Sequence, residues 1–124
     1  ENTLIEVVGA QFGDDLLAYY AASDCLVFPS YREGFPNVVL EAGAMGLPSI
    51  VTDINGSREI IVDGQNGLII PVKDVNALYD AMECLLLDEE QTQRLAARAR
   101  SFIEARFEQS FVMDCLCKFY DEIL

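Results

Sequence analysis

The chain has 124 residues, 52 % of them apolar, so it is long enough for one domain with a buried core and too apolar to be intrinsically disordered. A net charge of −13 argues against a nucleic-acid partner, because such binding needs basic patches that replace the counterions around phosphates. The absence of histidine excludes His-based zinc sites and Ser-His or Cys-His nucleophilic systems.

The sequence shows neither a signal-peptide pattern nor an apolar run of the roughly 20 residues that span a bilayer. It starts without Met and enters a strand-like run almost at once, so we expect a fragment of a longer chain. The cysteines have no metal-ligand spacing, and we expect reduced core thiols of a cytoplasmic protein. They are Cys25, Cys84, Cys115 and Cys117.

In chain order, an apolar run predicts a short buried strand over residues 4–9. Asp14 is expected to cap a helix over residues 15–22. Tyr20 lies on the inner face of this helix, and for both Tyr19 and Tyr20 core packing is favoured over stacking on a nucleotide base. A second strand is predicted over residues 25–29.

A helix is predicted next, from Asn37 to about Met45. Pro36 suits its first position, where the missing N–H costs nothing, and Gly46 suits the left-handed stop after its last turn. A third strand follows over residues 49–52. The order strand, helix, strand predicts a βαβ unit with parallel strands and hence an α/β fold.

Ser57 is expected to cap a short helix over residues 58–62, and a fourth strand follows over residues 68–72. Apolar residues then recur at helical spacing through the last third of the chain. Three helices are predicted there, beginning at Asp74, at residues 88–91 and at Ser110.

Polar groups gather around the predicted βαβ unit. Ligands of parallel sheets lie beyond the carboxyl ends of the strands, where the loop with Glu33 would be. Glu41, in the second turn of the helix, can face the same crevice. The free amides of Asn37 and Val38 at the helix start would attract an anion such as a phosphate. An anion with a carboxylate on either side suits a nucleotide-sugar.

The string PS-x-x-EGF-x-x-x-x-LEA-x-A-x-G-x-P, which starts at Pro29, resembles the core signature of the retaining glycosyltransferase family 4 in the GT-B superfamily. The resemblance continues upstream through YYAASDCLVFPS and downstream through SIVTDINGSREIIVDGQNGLIIPVKDVNAL, so it covers nearly the whole chain. It implies a half Rossmann-like parallel sheet of about four strands with flanking helices. Residues 1–124 would be part of a C-terminal nucleotide-sugar-binding domain.

Carried over to this sequence, the resemblance implies that Glu33 is the catalytic residue that bonds the hydroxyls of the donor sugar. It implies that Glu41 bonds the ribose hydroxyls and that the amides after Phe35 hold the diphosphate. The implied substrate-binding residues are Glu33, Gly34, Phe35, Asn37, Val38 and Glu41. No metal and no cofactor besides the nucleotide-sugar substrate is implied.

Two positions depart from the family pattern. Pro36 stands where many members have glycine, which removes one amide, so Asn37 and Val38 would carry the phosphate contact. Asn55 replaces the first glycine of a Gly-Gly pair that often follows the next strand. The exact contacts of that loop therefore differ from those of the family.

The net charge of −13 fits binding of an anionic nucleotide-sugar poorly. The family explains this, because its Arg and Lys residues that clamp the diphosphate come from the first half of the domain, which is not in this chain. Arg58 is the weakest phosphate candidate, and a surface salt bridge with a neighbour such as Glu59 is the expected role.

The resemblance also implies missing strands. The family's sheet has the order 3-2-1-4-5-6, and the strands that would separate residues 4–9 from residues 25–29 are absent. An exposed sheet edge at residues 25–29 is therefore expected. Three outcomes fit it: direct pairing of the first two strands, a swapped dimer that uses the exposed edge, or truncation from a larger parent.

The implied function is transfer of a sugar, with retention, from a nucleotide-diphosphate-sugar to a sugar or lipid-linked acceptor held by a missing N-terminal domain. The fragment alone should be inactive. The implied location is the cytoplasm, with peripheral attachment to the inner membrane through the parent's missing part as a variant. Two alternatives remain: a non-catalytic GT-B-like binding module, and a sugar-nucleotide epimerase, which the lack of histidine disfavours.

Overall fold

The computed structural model describes residues 5–32, 34 and 36–106. Over these ranges the chain forms five helices and three strands. In chain order they are α1 (Gly13–Ala22), β1 (Leu26–Phe28), α2 (Asn37–Ala44), β2 (Ser49–Thr52), α3 (Ser57–Ile60), β3 (Gly67–Ile70), α4 (Val75–Leu87) and α5 (Glu89–Arg106).

The three strands form one parallel sheet in the order β1-β2-β3. Val27 of β1 lies beside Ile50 of β2, which lies beside Leu68 of β3. This confirms the α/β fold and the parallel βαβ unit around α2. The strand count is three among the described residues, not the expected four.

The central strand β2 is buried along its whole length and supplies the core on both faces of the sheet. Val51 packs against residues of α2, α3 and the end of α5, including Leu40, Ile60 and Ile103. Ile50 points the other way, into a cluster of β3, α4 and the start of α5 that includes Leu95. Successive strand residues face opposite sides. Helices therefore cover both faces, and α5 contributes to both clusters.

The predicted strand over residues 4–9 is wrong for its described part. Residues 5–9 form no strand, and Val7 is 92 % exposed and Ile5 70 % exposed. A strand needs a hydrogen-bonded neighbour, and among the described residues β1 pairs with β2 alone. Of the three outcomes proposed for the sheet edge, direct pairing of the first two strands is excluded for these residues.

Helix ends follow local signals in some places and not in others. Gly46 takes a φ of 77° after α2, as predicted, and the Asp74 carboxylate accepts from the Ala77 amide (2.9 Å) at the start of α4. Asp14 does not cap α1, which begins at Gly13 with no side-chain cap among the described residues. Ser57 is the first residue of α3 and not its cap. The predicted helix at Ser110 lies outside the described residues.

The cysteines are only partly the predicted core thiols. Cys25 is half-buried. Its burial raises the pKa of its thiol, and the charge of Asp24 adds a smaller increase. Cys84 is exposed, which corrects the prediction, and its thiol donates to the side-chain oxygen of Gln91 (2.8 Å). Cys115 and Cys117 lie outside the described residues.

Within the described ranges, helices are too short or too polar to pass through a bilayer.

Candidate functional site

The start of α2 presents backbone amides without intrahelical partners. Pro36 is the residue before the helix and not, as predicted, its first residue, because its φ of −77° and ψ of 99° are extended. Its carbonyl accepts from Val39 (3.1 Å) and Leu40 (3.3 Å). The amides of Asn37 and Val38 precede these donors, and no described side chain caps them. Asn37 is exposed and Val38 is half-buried. This end of α2 therefore has the geometry of an anion site.

The loop before α2 carries three of the predicted site residues. Glu33 and Phe35 lie outside the described residues, so the roles implied for them stay predictions. Gly34 is described and exposed. It lies against Gly56, because a Cβ placed at residue 56 would come 2.3 Å from the carbonyl oxygen of Gly34.

Gly56 thus joins the loop after β1 to the loop after β2. Its φ of 88° is in the region that favours glycine. A second link comes from Thr52, whose hydroxyl donates to the carbonyl oxygen of Ser30. Both contacts fix the two loops at the same edge of the sheet, beyond the carboxyl ends of β1 and β2.

Glu41 is buried, with 4 % of its surface exposed, and projects from the second turn of α2. Its Oε2 accepts a hydrogen bond from the hydroxyl of Tyr20 on α1, over 3.0 Å. Burial raises the pKa of Glu41, and the hydrogen bond from Tyr20 acts in the opposite direction. The pKa of Tyr20 is raised by its own burial, then by the charge of Glu41 and by this hydrogen bond. The α1–α2 interface therefore holds a carboxylate away from bulk water.

Tyr20 lies in the core, as its place on the inner face of the helix predicts, but its hydrogen bond to Glu41 follows from no sequence pattern. The two residues are 21 positions apart, so no helical or strand spacing relates them. The available signal was chemical: a buried tyrosine hydroxyl usually finds a hydrogen-bond partner. The core role predicted for the neighbouring Tyr19 is wrong, because Tyr19 is 44 % exposed.

A separate cleft of about 330 Å³ opens beyond the ends of β1 and β2. Its lining residues are Tyr31, Arg32, Asp53, Ile54, Asn55 and Arg58. The guanidinium of Arg58 donates to Asp53 Oδ1 (2.8 Å) and to the side-chain oxygen of Asn55. The expected surface salt bridge of Arg58 is thus present, but its partner is Asp53 and not Glu59.

Two further basic groups lie in the cleft or beside one of its lining residues. Arg32 lines it, and Lys73, after β3, has its ammonium 5.6 Å from the centre of the Tyr31 ring. Lys73 has a φ of 55°, unusual for a residue with a side chain. Within the described part of the chain, no three acidic or cysteine side chains come together as metal ligands would.

A parallel sheet with helices on both faces, and with polar groups at the carboxyl ends of its strands, defines a Rossmann-like α/β domain. The family described as glycosyl transferases group 1 matches residues 2–102, and the chain belongs to this family. The predicted GT-B fold is confirmed by solved structures of GT-B glycosyltransferases. Assignment to family 4 within the superfamily stays a prediction.

The relatives are enzymes considerably longer than this chain. The capsular polysaccharide biosynthesis glycosyltransferase CapM of Staphylococcus aureus is 31 % identical over 110 residues, which are 89 % of this chain and 29 % of CapM. The structure of sucrose-phosphate synthase from Thermosynechococcus elongatus matches with a TM-score of 0.76 and 31 % identity, covering 90 % of this chain and 28 % of that one. The chain thus spans less than a third of either protein.

The structure of Anabaena HepE in complex with UDP has the same fold, with a TM-score of 0.75. Its identity to this chain is 22 %, and the match covers 90 % of this chain and 31 % of HepE. The likeness to HepE shows the shared fold.

Proposed function

We propose that residues 1–124 form part of the donor-binding domain of a retaining family 4 glycosyltransferase. As part of a longer parent, it transfers a sugar from a nucleotide-diphosphate-sugar to a sugar or lipid-linked acceptor. Membership of the group 1 family and likeness to CapM, a glycosyltransferase of capsular polysaccharide biosynthesis, support this proposal. The acceptor binds to a different domain of the parent, so this chain alone is inactive.

The observation that carries the proposal is the geometry of α2. Its amide end is open at Asn37 and Val38, and the buried carboxylate of Glu41 lies on the next turn. At 1.5 Å per residue, Glu41 is about 6 Å from Asn37 along the helix axis. This separation is within the length of one bound nucleotide.

In the proposed complex the diphosphate lies at the amides of Asn37 and Val38, where the helix dipole favours negative charge. Glu41 accepts hydrogen bonds from the ribose hydroxyls. Glu33 accepts hydrogen bonds from the donor sugar as the catalytic residue, next to Gly34 and Phe35 of the same loop. The work of the site is to position the donor and to stabilise the charge on the departing diphosphate. It requires neither a metal nor a cofactor besides the donor substrate.

The proposed location is the cytoplasm, where nucleotide-sugars serve as donors for polysaccharide biosynthesis. Peripheral attachment to the inner membrane, in this proposal, comes from other parts of the parent.

Titration of the chain with UDP, GDP and ADP, followed by ¹⁵N NMR, tests the proposal. We expect one nucleotide to shift the amides of residues 33–41, with Asn37 and Val38 shifted most. Glu41→Gln should weaken binding about tenfold or more, since hydrogen bonds to charged groups contribute about 1.5–3 kcal/mol. Glu83→Gln, which removes an exposed carboxylate on α4, is the matched control and should bind as the wild type does.

No shift with any of the three nucleotides would favour the non-catalytic binding module instead. In the full-length parent, Glu33→Gln and Glu41→Gln should each reduce turnover strongly. Wild-type turnover in both variants would contradict the assignment of the two carboxylates.

A further inference from the structure

Glu41 is the one buried carboxylate among the described residues. A carboxylate is costly to bury unless it is hydrogen-bonded. The single partner that the structure gives to its side chain is the hydroxyl of Tyr20, 3.0 Å away on a different helix. This hydrogen bond therefore anchors one oxygen of the Glu41 carboxylate at α1.

The ring of Tyr20 is held independently of Glu41. Tyr20 is 8 % exposed and packs in an apolar cluster with Ala42 and Leu47, beside the half-buried Leu16 and Leu17. A phenylalanine would fill this space equally well. The hydroxyl is thus the part of Tyr20 that packing does not explain.

A carboxylate has about four acceptor positions, and the hydroxyl of Tyr20 occupies one of them. The remaining positions are enough for the two neighbouring hydroxyls of a ribose. The ionised form is the one that accepts from both, and the hydrogen bond from Tyr20 favours it, because it lowers the pKa of Glu41 against the effect of burial. Among the described residues, Tyr20 is the one titratable group whose contact shifts that pKa. The helix α5 meets α2 through the apolar contact of Ile103 with Gly43.

We propose that Tyr20 is a positioning residue for nucleotide recognition: its hydroxyl holds Glu41 in the orientation that accepts hydrogen bonds from the ribose diol. The inference rests on the proposed function, because it takes Glu41 as the ribose-binding group. It assigns to α1, which lies outside the loop and helix of the proposed site, a part in donor binding.

The test compares Tyr20→Phe with the wild-type chain in titrations with UDP, GDP and ADP and with the 2′,3′-dideoxy form of each. Tyr20→Phe should weaken binding of the ribonucleotide about fivefold to tenfold, the range expected for a lost hydrogen bond. The dideoxy nucleotide, which has no hydroxyls to offer Glu41, should bind both proteins equally. Tyr19→Phe, which alters an exposed neighbour on the same helix, should change neither affinity.

Equal weakening for both nucleotide forms would show a structural role of Tyr20 and overturn the proposal. Unchanged affinity for both would also overturn it. In the double variant Tyr20→Phe, Glu41→Gln, the loss should be no larger than for Glu41→Gln alone, because the two residues act as one unit.

A second measurement does not depend on any nucleotide. The ¹³C shift of the Glu41 carboxyl group, followed against pH, should show a higher pKa in Tyr20→Phe than in the wild type. If the wild type binds no nucleotide, the proposed function fails and the ribose role fails with it. The carboxyl titration then decides separately whether Tyr20 controls Glu41, and an unchanged pKa would contradict that control.

Discussion

Two polar pairs of the described structure have similar donor–acceptor distances and very different surroundings. The hydroxyl of Tyr20 meets Glu41 over 3.0 Å inside the α1–α2 interface. The guanidinium of Arg58 meets Asp53 over 2.8 Å, with side chains that are 47 % and 53 % exposed. The second pair has full opposite charges and the shorter distance. We nevertheless expect the loss of the first pair to lower the free energy of unfolding more, because that pair is buried.

The physical reason is competition with water. An exposed ion pair replaces strong hydration with a screened attraction and contributes about 0–1 kcal/mol. A buried polar group that loses its partner cannot return to water, and this costs about 1–3 kcal/mol. We therefore expect stability to depend strongly on Tyr20, the partner of Glu41. It should depend only weakly on Asp53, the partner of Arg58.

The largest effect is expected at Gly56, which holds the loop of the exposed pair against the loop before α2. Gly56→Ala places a Cβ 2.3 Å from the Gly34 carbonyl oxygen and forces a side chain onto a φ of 88°. Together these should lower the free energy of unfolding by about 2–4 kcal/mol. Urea denaturation of the chain measures it.

Gly64→Ala is the matched control, because Gly64 has a similar φ of 78° with open space around it. It should cost about 1–2 kcal/mol, the cost of the backbone conformation alone. Equal losses at Gly56 and Gly64 would mean that the two loops are not in tight contact.

Tyr20→Phe should produce the next largest effect, because it leaves the buried Glu41 carboxylate without its partner. We expect a loss of about 1–3 kcal/mol in the free energy of unfolding at neutral pH. Tyr19→Phe should stay within about 0.5 kcal/mol of the wild type, as is usual for exposed positions. A Tyr20→Phe variant as stable as the wild type would remove the contrast between the buried and the exposed pair.

The pH dependence of stability should separate the pairs further. Burial raises the pKa of Glu41 above its ordinary value of 4.5, so the folded state binds more protons than the unfolded state. The contribution of Glu41 to the free energy of unfolding is therefore fully present below pH 4.5. It is lost as the pH rises through the pKa that Glu41 has in the folded state.

Urea titrations at a series of pH values should therefore show wild type losing stability relative to Glu41→Gln as pH rises from 4.5. Glu83→Gln should follow the wild type throughout. A constant difference between wild type and Glu41→Gln would contradict the raised pKa.

Asp53→Asn should have the smallest effect, below about 1 kcal/mol, because its partner Arg58 is exposed and also bonds Asn55. The effect should shrink further in 1 M salt, where charges are screened over about 3 Å. A large, salt-independent loss would mean that the exposed Arg58–Asp53 pair contributes as much to the free energy of unfolding as the buried pair does.

Local chemistry accounts for what the sequence predicts well. The helix α2, its stop at Gly46 and the cap at Asp74 depend on neighbouring residues, and the structure confirms all three. The strand β2 was also predicted with its bounds, because it is a short apolar run between turn residues.

Features that depend on distant residues were missed. Residues 5–9 have the composition of a strand but, within the part of the chain that the structure describes, no neighbour to pair with. Arg58 was expected to pair with a neighbour such as Glu59, yet the turn after β2 brings Asp53 to it. In the same way, the sequence indicates that Glu41 is on a helix, but only the packing of α1 on α2 reveals its burial and its bond to Tyr20.

A crystal structure of the chain with a bound ribonucleoside diphosphate tests the central claim most directly. We predict the ribose hydroxyls at hydrogen-bond distance, about 2.7–3.2 Å, from the Glu41 carboxylate, with the diphosphate against the amides of Asn37 and Val38. A nucleotide bound elsewhere, or one whose ribose does not contact Glu41, would contradict the account.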